Sequence, residues 1–461
     1  MAEINRFLGS HRNPRPQDFS RERSPRRTSD TRPDNSDRVK QANGGKGAKG
    51  GKGGKGGKGQ EKKQNNSEYF SETPKSFEAA WFSNFFSPSL LLLFTTLGFV
   101  VTRIPVLNNL PIGGRLSSCL DAWKKVTNNS WVCNVIENGY KIPFSSKPRQ
   151  KIPPKNPPVS GPALQVLLDE AEALKSKAAI AAVDAVPGQY ISSYFSVPKL
   201  RSPGKFRPIL NLKYFNLNIK KYKFRMEGIS QVRQWIKENA WFCSIDLKDQ
   251  FLHCPINSEF RKFLRFSWLG QILEWQVLPF GLRCSPRVVT KILKPCMAFL
   301  RSVFGILITI YIDDMLLQSS SPETVLRHSQ ITALLLMLLG WSLNWEKSNF
   351  VPSQEVIHLG FIFNSKKMTI SCPPPKIERL QEFSRTLLKA KVSSVHDLER
   401  LIGTMESVRP STPLAALKYR NLQKQLLKSK CPDRQPKQLV HLTQKSMAEL
   451  VWWSCQSGFS G

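Results

Sequence analysis

The sequence predicts an α+β fold, in which short apolar strands alternate with longer capped helices, behind a basic arm that does not fold. Three observations predict it. First, Tyr311-Ile312-Asp313-Asp314 lies between apolar, β-branched runs at 306–310 and 315–317, which reads as a hairpin carrying two carboxylates at its tip. Second, segments at 322–339, 376–390 and 394–408 show helix-start signals and apolar positions at helical spacing. Third, residues 1–66 are rich in Arg, Ser, Pro and Asp and run into a Gly-Gly-Lys array at 44–59, a composition that buries too little apolar surface to fold.

At 461 residues and 40% hydrophobic, the chain has room for a large core and two or three domains. Its net charge of +34 exceeds what solubility needs and points to nucleic acid or an anionic membrane. The first 63 residues hold 17 basic against 7 acidic side chains, so most of the excess lies on the folded part. Nine Cys without a Cys-x-x-Cys pair, with only six His, suggest neither a zinc site nor a disulfide framework. They read as reduced, buried thiols of an intracellular protein, nuclear or cytoplasmic. No signal peptide opens the chain.

Taken in order, the Gly-Lys array is no phosphate-cradling loop, because no Gly-Lys-Ser/Thr follows it. It reads as a non-specific phosphate-contacting or solubilising arm. Residues 79–102 carry no charge, but Asn84, Pro88, Gly98 and several Ser and Thr dilute the apolar run, which favours a buried or poorly folded segment over a membrane span. Leu116, Cys119, Leu120, Trp123 and Val126 predict a helix, and a second from Trp131 stops at Gly139. The Pro- and Lys-rich stretch 141–162 reads as an extended linker. Leu164, Leu167, Leu168, Ala171 and Leu174 mark the next helix.

Strand-like runs at 194–197 and 206–212 flank a turn that holds Lys199, Arg201 and Lys205, with Arg207 just after it. Those cations can clamp a triphosphate or form a solvated basic hairpin. A strand at 241–247 delivers Asp246 at its end. Leu278-Pro279-Phe280-Gly281 turns into a helix near 286–300, and Gly281 permits close backbone approach to a base or sugar. Ser320-Ser321-Pro322-Glu323 has capping-box spacing. A short hairpin spans 356–363, broken at Gly360. A basic third helix is expected from about Pro413, with Lys418, Arg420, Lys424 and Lys428.

The Asp-Asp pair is poorly explained by turn chemistry, which favours Asn-Gly or Asp-Gly. Adjacent carboxylates raise each other's pKa unless a cation neutralises them. Two divalent ions held by such acids, with a third ligand such as Asp246 from another strand, are the machinery of in-line phosphoryl transfer. An exposed acidic turn is the plain alternative.

The basic hairpin, Asp246, Leu-Pro-Phe-Gly, Tyr-Ile-Asp-Asp, Asn344-Trp345-Glu346-Lys347 and Leu359-Gly360-Phe361 stand in the order and spacing of a retroelement reverse transcriptase, which the chain resembles over 192–364. The wording of residues 244–249, and Gly113-Gly114-Arg115-Leu116 with Trp123-Lys124-Lys125, looks most like retrotransposons of the DIRS, tyrosine-recombinase type. The resemblance implies a right-hand polymerase of fingers, palm and thumb that extends a DNA primer on an RNA or DNA template with dNTPs and two Mg²⁺ ions, Mn²⁺ being a substitute. It implies Asp246, Asp313, Asp314 and the Leu247 carbonyl as metal ligands, and Lys347 as proton donor to pyrophosphate. Lys199, Lys205, Arg207, Asp249, Gln250, Phe251, Phe280 and Gly281 would bind the nucleotide, Phe251 as the gate against a ribose 2′-hydroxyl, while Leu359, Gly360 and Phe361 would grip the primer. Gln250 and Phe251 stand where the family more often has Ala and Tyr, and Arg283-Cys284 where it has small residues.

On this basis the chain divides into an arm (1–66), a helical region with the apolar segment and linker (67–162), fingers and palm (163–364), a helical thumb (365–430) and a truncated connection (431–461), with the ribonuclease H domain of related elements expected to be missing. A membrane is not an expected partner, and no oligomeric state is predicted. An RNA-dependent RNA polymerase and an inactive nucleic-acid-binding remnant are the competing readings.

Overall fold

The computed structural model describes residues 85–199, 202, 204–429 and 438–455. The expected arm, and Arg201 in the cationic turn, lie outside the described residues. From Phe85 the chain forms α1 (Pro88–Thr96), α2 (Arg103–Asn109), α3 (Leu120–Val126) and α4 (Ser130–Asn138). Ser87 caps α1 by accepting the Leu90 N–H, and Pro88 at the first position costs no hydrogen bond. Phe86, Leu90, Phe94 and Phe99 are buried, as expected of the uncharged segment. Among the described residues no helix is long and apolar enough to cross a membrane. The helix expected around Leu116 begins instead as a 3₁₀ turn, Arg115–Cys119, before α3.

Gly113-Gly114-Arg115 fastens this region to the rest. The Gly113 N–H donates to Lys177 O (2.7 Å), the Gly114 N–H to Leu252 O (2.9 Å), and the buried Arg115 guanidinium to Ser342 Oγ (2.8 Å). A Cβ on Gly113 would lie 2.3 Å from Ala178 O, so only glycine fits there.

Residues 141–160 contain no helix or extended strand, yet they are not a free linker. Gln150 exchanges two 2.8 Å hydrogen bonds with the backbone of Ile191, and Asn156 bonds Ser267 O (2.7 Å) and the Tyr194 N–H (2.8 Å). Side-chain amides thus do what a strand ladder would do, a substitution that proline-rich composition hides.

After α5 (Gly161–Ser176) come β1 (Ile180–Val183), β2 (Ile191–Ser192), β3 (Tyr194–Pro198), β4 (Phe206–Leu210), α6 (Ile229–Trp235), β5 (Trp241–Asp246), β6 (Arg265–Trp268), β7 (Gln271–Trp275) and α7 (Ser285–Phe304). Next are β8 (Leu307–Tyr311), β9 (Asp314–Ser319), α8 (Pro322–Leu338), β10 (Asn349–Ser353), β11 (Glu355–His358), β12 (Phe361–Asn364) and β13 (Thr369–Ser371). The strands pair as β1-β7-β6-β2, β10-β5-β9-β8, β11-β12-β13 and β3-β4. The α8 cap is Ser321, which accepts from the Thr324 N–H and donates to the Thr324 hydroxyl, so Glu323 does not complete a capping box.

The sheet β10-β5-β9-β8 is covered on both faces. Met315 and Leu317 of β9, with Cys243 and Ile245 of β5, join a core shared with the N-terminal helices, α7 and α8. Leu316 and Phe242 point the other way, into a second core shared with β12 and the C-terminal helices. Those are α9 (Pro374–Ala390), α10 (Val395–Val408), α11 (Arg420–Ser429) and α12 (Gln444–Cys455), with β14 (Val392–Ser394) paired to β15 (Leu439–His441) between them. Ser394 caps α10 as its position predicts. The third helix starts at Arg420, not near Pro413, because Leu414 takes a positive φ (60°) among short 3₁₀ turns.

Candidate active site

Register brings the acids together. β5 and β9 pair antiparallel with Asp246 opposite Asp314, and β8 and β9 pair with Tyr311 opposite Asp314, leaving Ile312-Asp313 as a two-residue loop. The Leu247 N–H donates to Asp313 O (3.0 Å), tying the loop to the end of β5. Ile312 has φ of 58°, a conformation that such loops usually give to glycine and that a β-branched residue enters only under strain.

The turn at 343–348 clasps Asp246 from behind. The Asp246 N–H donates to Ser348 Oγ (3.0 Å), that hydroxyl donates to Asn344 O (2.7 Å), and the Asn344 N–H returns to Asp246 O (2.8 Å). Burial raises the Asp246 carboxyl above the ordinary range; Lys347 opposes that shift, and Asp313 and Asp314 add to it. Asp313 is raised too, first by burial and then by Asp314, against Lys347 and a backbone hydrogen bond. The acids therefore repel one another and are under-compensated by Lys347.

Asp314 meets a buried histidine, with His358 Nδ1 3.2 Å from its Oδ2. His358 ends β11, directly before the tight Leu359-Gly360 turn (φ 50° and 77°) and opposite Phe361 in β12. Phe361 is buried under the Lys376 ammonium, 4.8 Å from its ring centre. A groove of about 1270 Å³ runs from Gly360 between α9 and α10, past Lys376, Arg379, His396 and Arg400.

On the other side, Phe251 and Phe280 stand edge to face at 5.3 Å. The Phe280-Gly281 loop is fixed by Asn216, whose Nδ2 donates to Gly281 O (2.9 Å) and whose Oδ1 accepts the Arg283 N–H (2.8 Å). A Cβ on Gly281 (φ 83°) would lie 4.0 Å from Leu210 O, so this loop abuts the β3–β4 hairpin that carries Lys199, Lys205 and Arg207, all exposed. Asp249, at φ 49°, pairs with Lys177 (2.9 Å). Gln250 is buried.

Sequence reasoning missed Asn216, Ser348 and His358. Only His358 left a signal: it is polar at the inward-facing position two residues after Val356. It also missed Glu227, which pairs with Arg301 (2.7 Å) and accepts the Ile310 N–H (3.0 Å), closing the free edge of β8.

No three His, Cys, Asp or Glu side chains among the described residues already close on one point. The candidate donors, the carboxylates of Asp246, Asp313 and Asp314 and the Leu247 carbonyl, are nevertheless all oxygen, and Lys347 only partly offsets the shifts of Asp246 and Asp313, a donor set that suits a hard cation.

Residues 197–363 match the family described as reverse transcriptase (RNA-dependent DNA polymerase). The chain is 28% identical over 217 residues to the Gag-Pro-Pol polyprotein of bovine leukemia virus, covering 45% of this chain and 14% of that one. It is 24% identical over 217 residues to the retrovirus-related Pol polyprotein from transposon opus of Drosophila melanogaster, covering 46% and 20%. The chain thus spans a fifth or less of those relatives. Among solved structures, the foamy viral protease-reverse transcriptase in complex with dsDNA superposes with a TM-score of 0.53 at 16% identity, over 72% of this chain and 70% of that one. The protein carries a reverse transcriptase domain homologous to those of retroviral and retrotransposon Pol polyproteins, set in a right-hand polymerase fold.

Proposed function

We propose that this chain is the RNA-directed DNA polymerase of a retrotransposon, of the DIRS type, extending a DNA primer on an RNA or DNA template with dNTPs. The observation that carries the reading is the register of β5 against β9, which sets Asp246 opposite Asp314 with Asp313 in the adjoining loop. Asp246, Asp313, Asp314 and the Leu247 carbonyl would hold two Mg²⁺ ions, or Mn²⁺ in their place. Such ions lower the pKa of the primer hydroxyl and balance charge on the departing pyrophosphate.

The rest is done by the protein. Lys347, electrostatically coupled to Asp246 and Asp313, gives the leaving pyrophosphate a proton. Lys199, Lys205 and Arg207 grip the triphosphate from the β3–β4 hairpin, with the backbone of Asp249 and Gln250 beneath it. Phe251, braced by Phe280, closes the space a 2′-hydroxyl needs, and Gly281 lets the loop approach the nucleotide. Leu359, Gly360 and Phe361 seat the primer end. The groove cations Lys376, Arg379 and Arg400 meet duplex phosphates, with exposed Arg420, Lys424 and Lys428 of α11 as outer contacts.

The DIRS assignment rests on the wording of residues 113–116 and 244–249; the first of these stretches is the clasp between the N-terminal helices and the palm. The residues divide, on this reading, into fingers and palm to Asn364 and a thumb beyond it. The site of action is the nucleus or cytoplasm.

Primer extension on poly(rA)·oligo(dT) tests the reading. Wild type should incorporate dTTP over UTP, and Phe251→Ala should relax that preference by about 10- to 100-fold. Preference of the wild type for UTP would favour an RNA polymerase. No extension by folded protein with either metal would favour a binding remnant.

A further inference from the structure

His358 is nearly sealed from solvent, at 1% exposure, and neither ring nitrogen has a hydrogen-bond partner among the described residues. Burying an imidazole in that state costs about 1–3 kcal/mol, which packing alone does not require of this position. One nitrogen has something to reach. Nδ1 lies 3.2 Å from Asp314 Oδ2, within bonding distance but without a hydrogen bond in this arrangement, and the last torsion of an aspartate side chain is soft.

Two of the three acids are held through their backbone, Asp246 by Ser348 and Asn344 and Asp313 by the Leu247 N–H donating to its carbonyl, whereas Asp314 has His358 Nδ1 3.2 Å from its carboxylate. The histidine is itself fixed, because it pairs with Phe361 across a two-residue turn whose residues both have positive φ.

We propose that His358 is a positioning residue for Asp314. Its Nδ1–H directs one carboxylate oxygen and leaves the other for a divalent cation. This rests on the acids being metal ligands, and it makes the Leu359-Gly360 hairpin part of the metal site's support.

The test measures Mn²⁺ binding to the substrate-free full chain by electron paramagnetic resonance, alongside thermal melting and the KM and kcat of primer extension. His358→Leu keeps the volume without a donor, His358→Asn keeps an N–H near Nδ1, and His358→Gln moves the donor to the other ring nitrogen's place. The proposal expects His358→Leu to melt no lower than wild type yet bind Mn²⁺ about tenfold more weakly. It expects His358→Asn to recover binding and His358→Gln not to, with kcat falling and the dNTP KM held. Equal Mn²⁺ binding in wild type and His358→Leu overturns it, and so does equal loss in the Asn and Gln variants, the comparison that decides if His358→Leu does not fold. Wild-type Mn²⁺ binding that survives Asp313→Asn would instead overturn the metal-site reading itself, and this proposal with it.

Discussion

Replacing Asp313 with Asn should make the metal-free protein more stable while removing its catalysis. The carboxyls of Asp246 and Asp313 are both raised, by burial first and by neighbouring acids. A raised folded-state pKa means that the folded protein holds the proton more tightly than the unfolded chain. No penalty exists below the ordinary carboxylate pKa of about 4; it enters as pH rises toward the folded-state values and is complete above them. Asp313 adjoins Asp314 in the loop and lies beside the end of β5 that carries Asp246, and like charges about 6 Å apart at an effective dielectric constant of about 20 repel by about 3 kcal/mol. Partial exposure and Lys347 reduce that to about 1 kcal/mol. Urea denaturation in EDTA should therefore show Asp313→Asn more stable by about 1 kcal/mol at pH 7.5 and equal to wild type near pH 3.5. Mg²⁺ should close the gap at pH 7.5 by stabilising the wild type alone, and extension by the variant should fall by about a thousandfold. A variant less stable than wild type at pH 7.5 would refute the picture of acids held against their own repulsion.

Two further outcomes follow from geometry. Asn216→Ala removes both hydrogen bonds that fix the Phe280-Gly281 loop, each worth about 1 kcal/mol, so the dNTP KM should rise about tenfold in steady-state kinetics; an unchanged KM would show that the loop is held by other contacts. Ile312→Gly relieves a positive φ at a β-branched residue, which costs about 1–3 kcal/mol. The variant should melt no lower than wild type yet have lower kcat, because the loop no longer confines Asp313, and a lower melting temperature with unchanged kcat would contradict this.

What the sequence revealed of the site was local. Two acids between β-branched runs, an acid ending a strand and a cationic turn are each readable within a dozen residues, and the strand registers confirm that Asp246 and Asp314 face each other. The supports were not readable. Ser348 holds Asp246 across 102 positions, Glu227 holds Ile310 across 83, and Asn216 holds Arg283 across 67. Such single polar contacts leave no periodic trace in a chain. The Pro-rich stretch 141–160 misleads for the same reason: its order comes from Gln150 and Asn156 reaching other segments. Arg115 and Trp123, whose indole N–H donates to Leu339 O (3.0 Å), show only in the structure why the N-terminal helices and the palm share one core.

Anomalous diffraction from Mn²⁺ in crystals with a primer ending in a dideoxynucleotide, a template and a dNTP tests the central claim most directly. Two peaks about 3.5–4 Å apart, both within ligand distance of Asp246 and Asp313, are the predicted result. Ions bound away from Asp246, or on the hairpin acids alone, would contradict it.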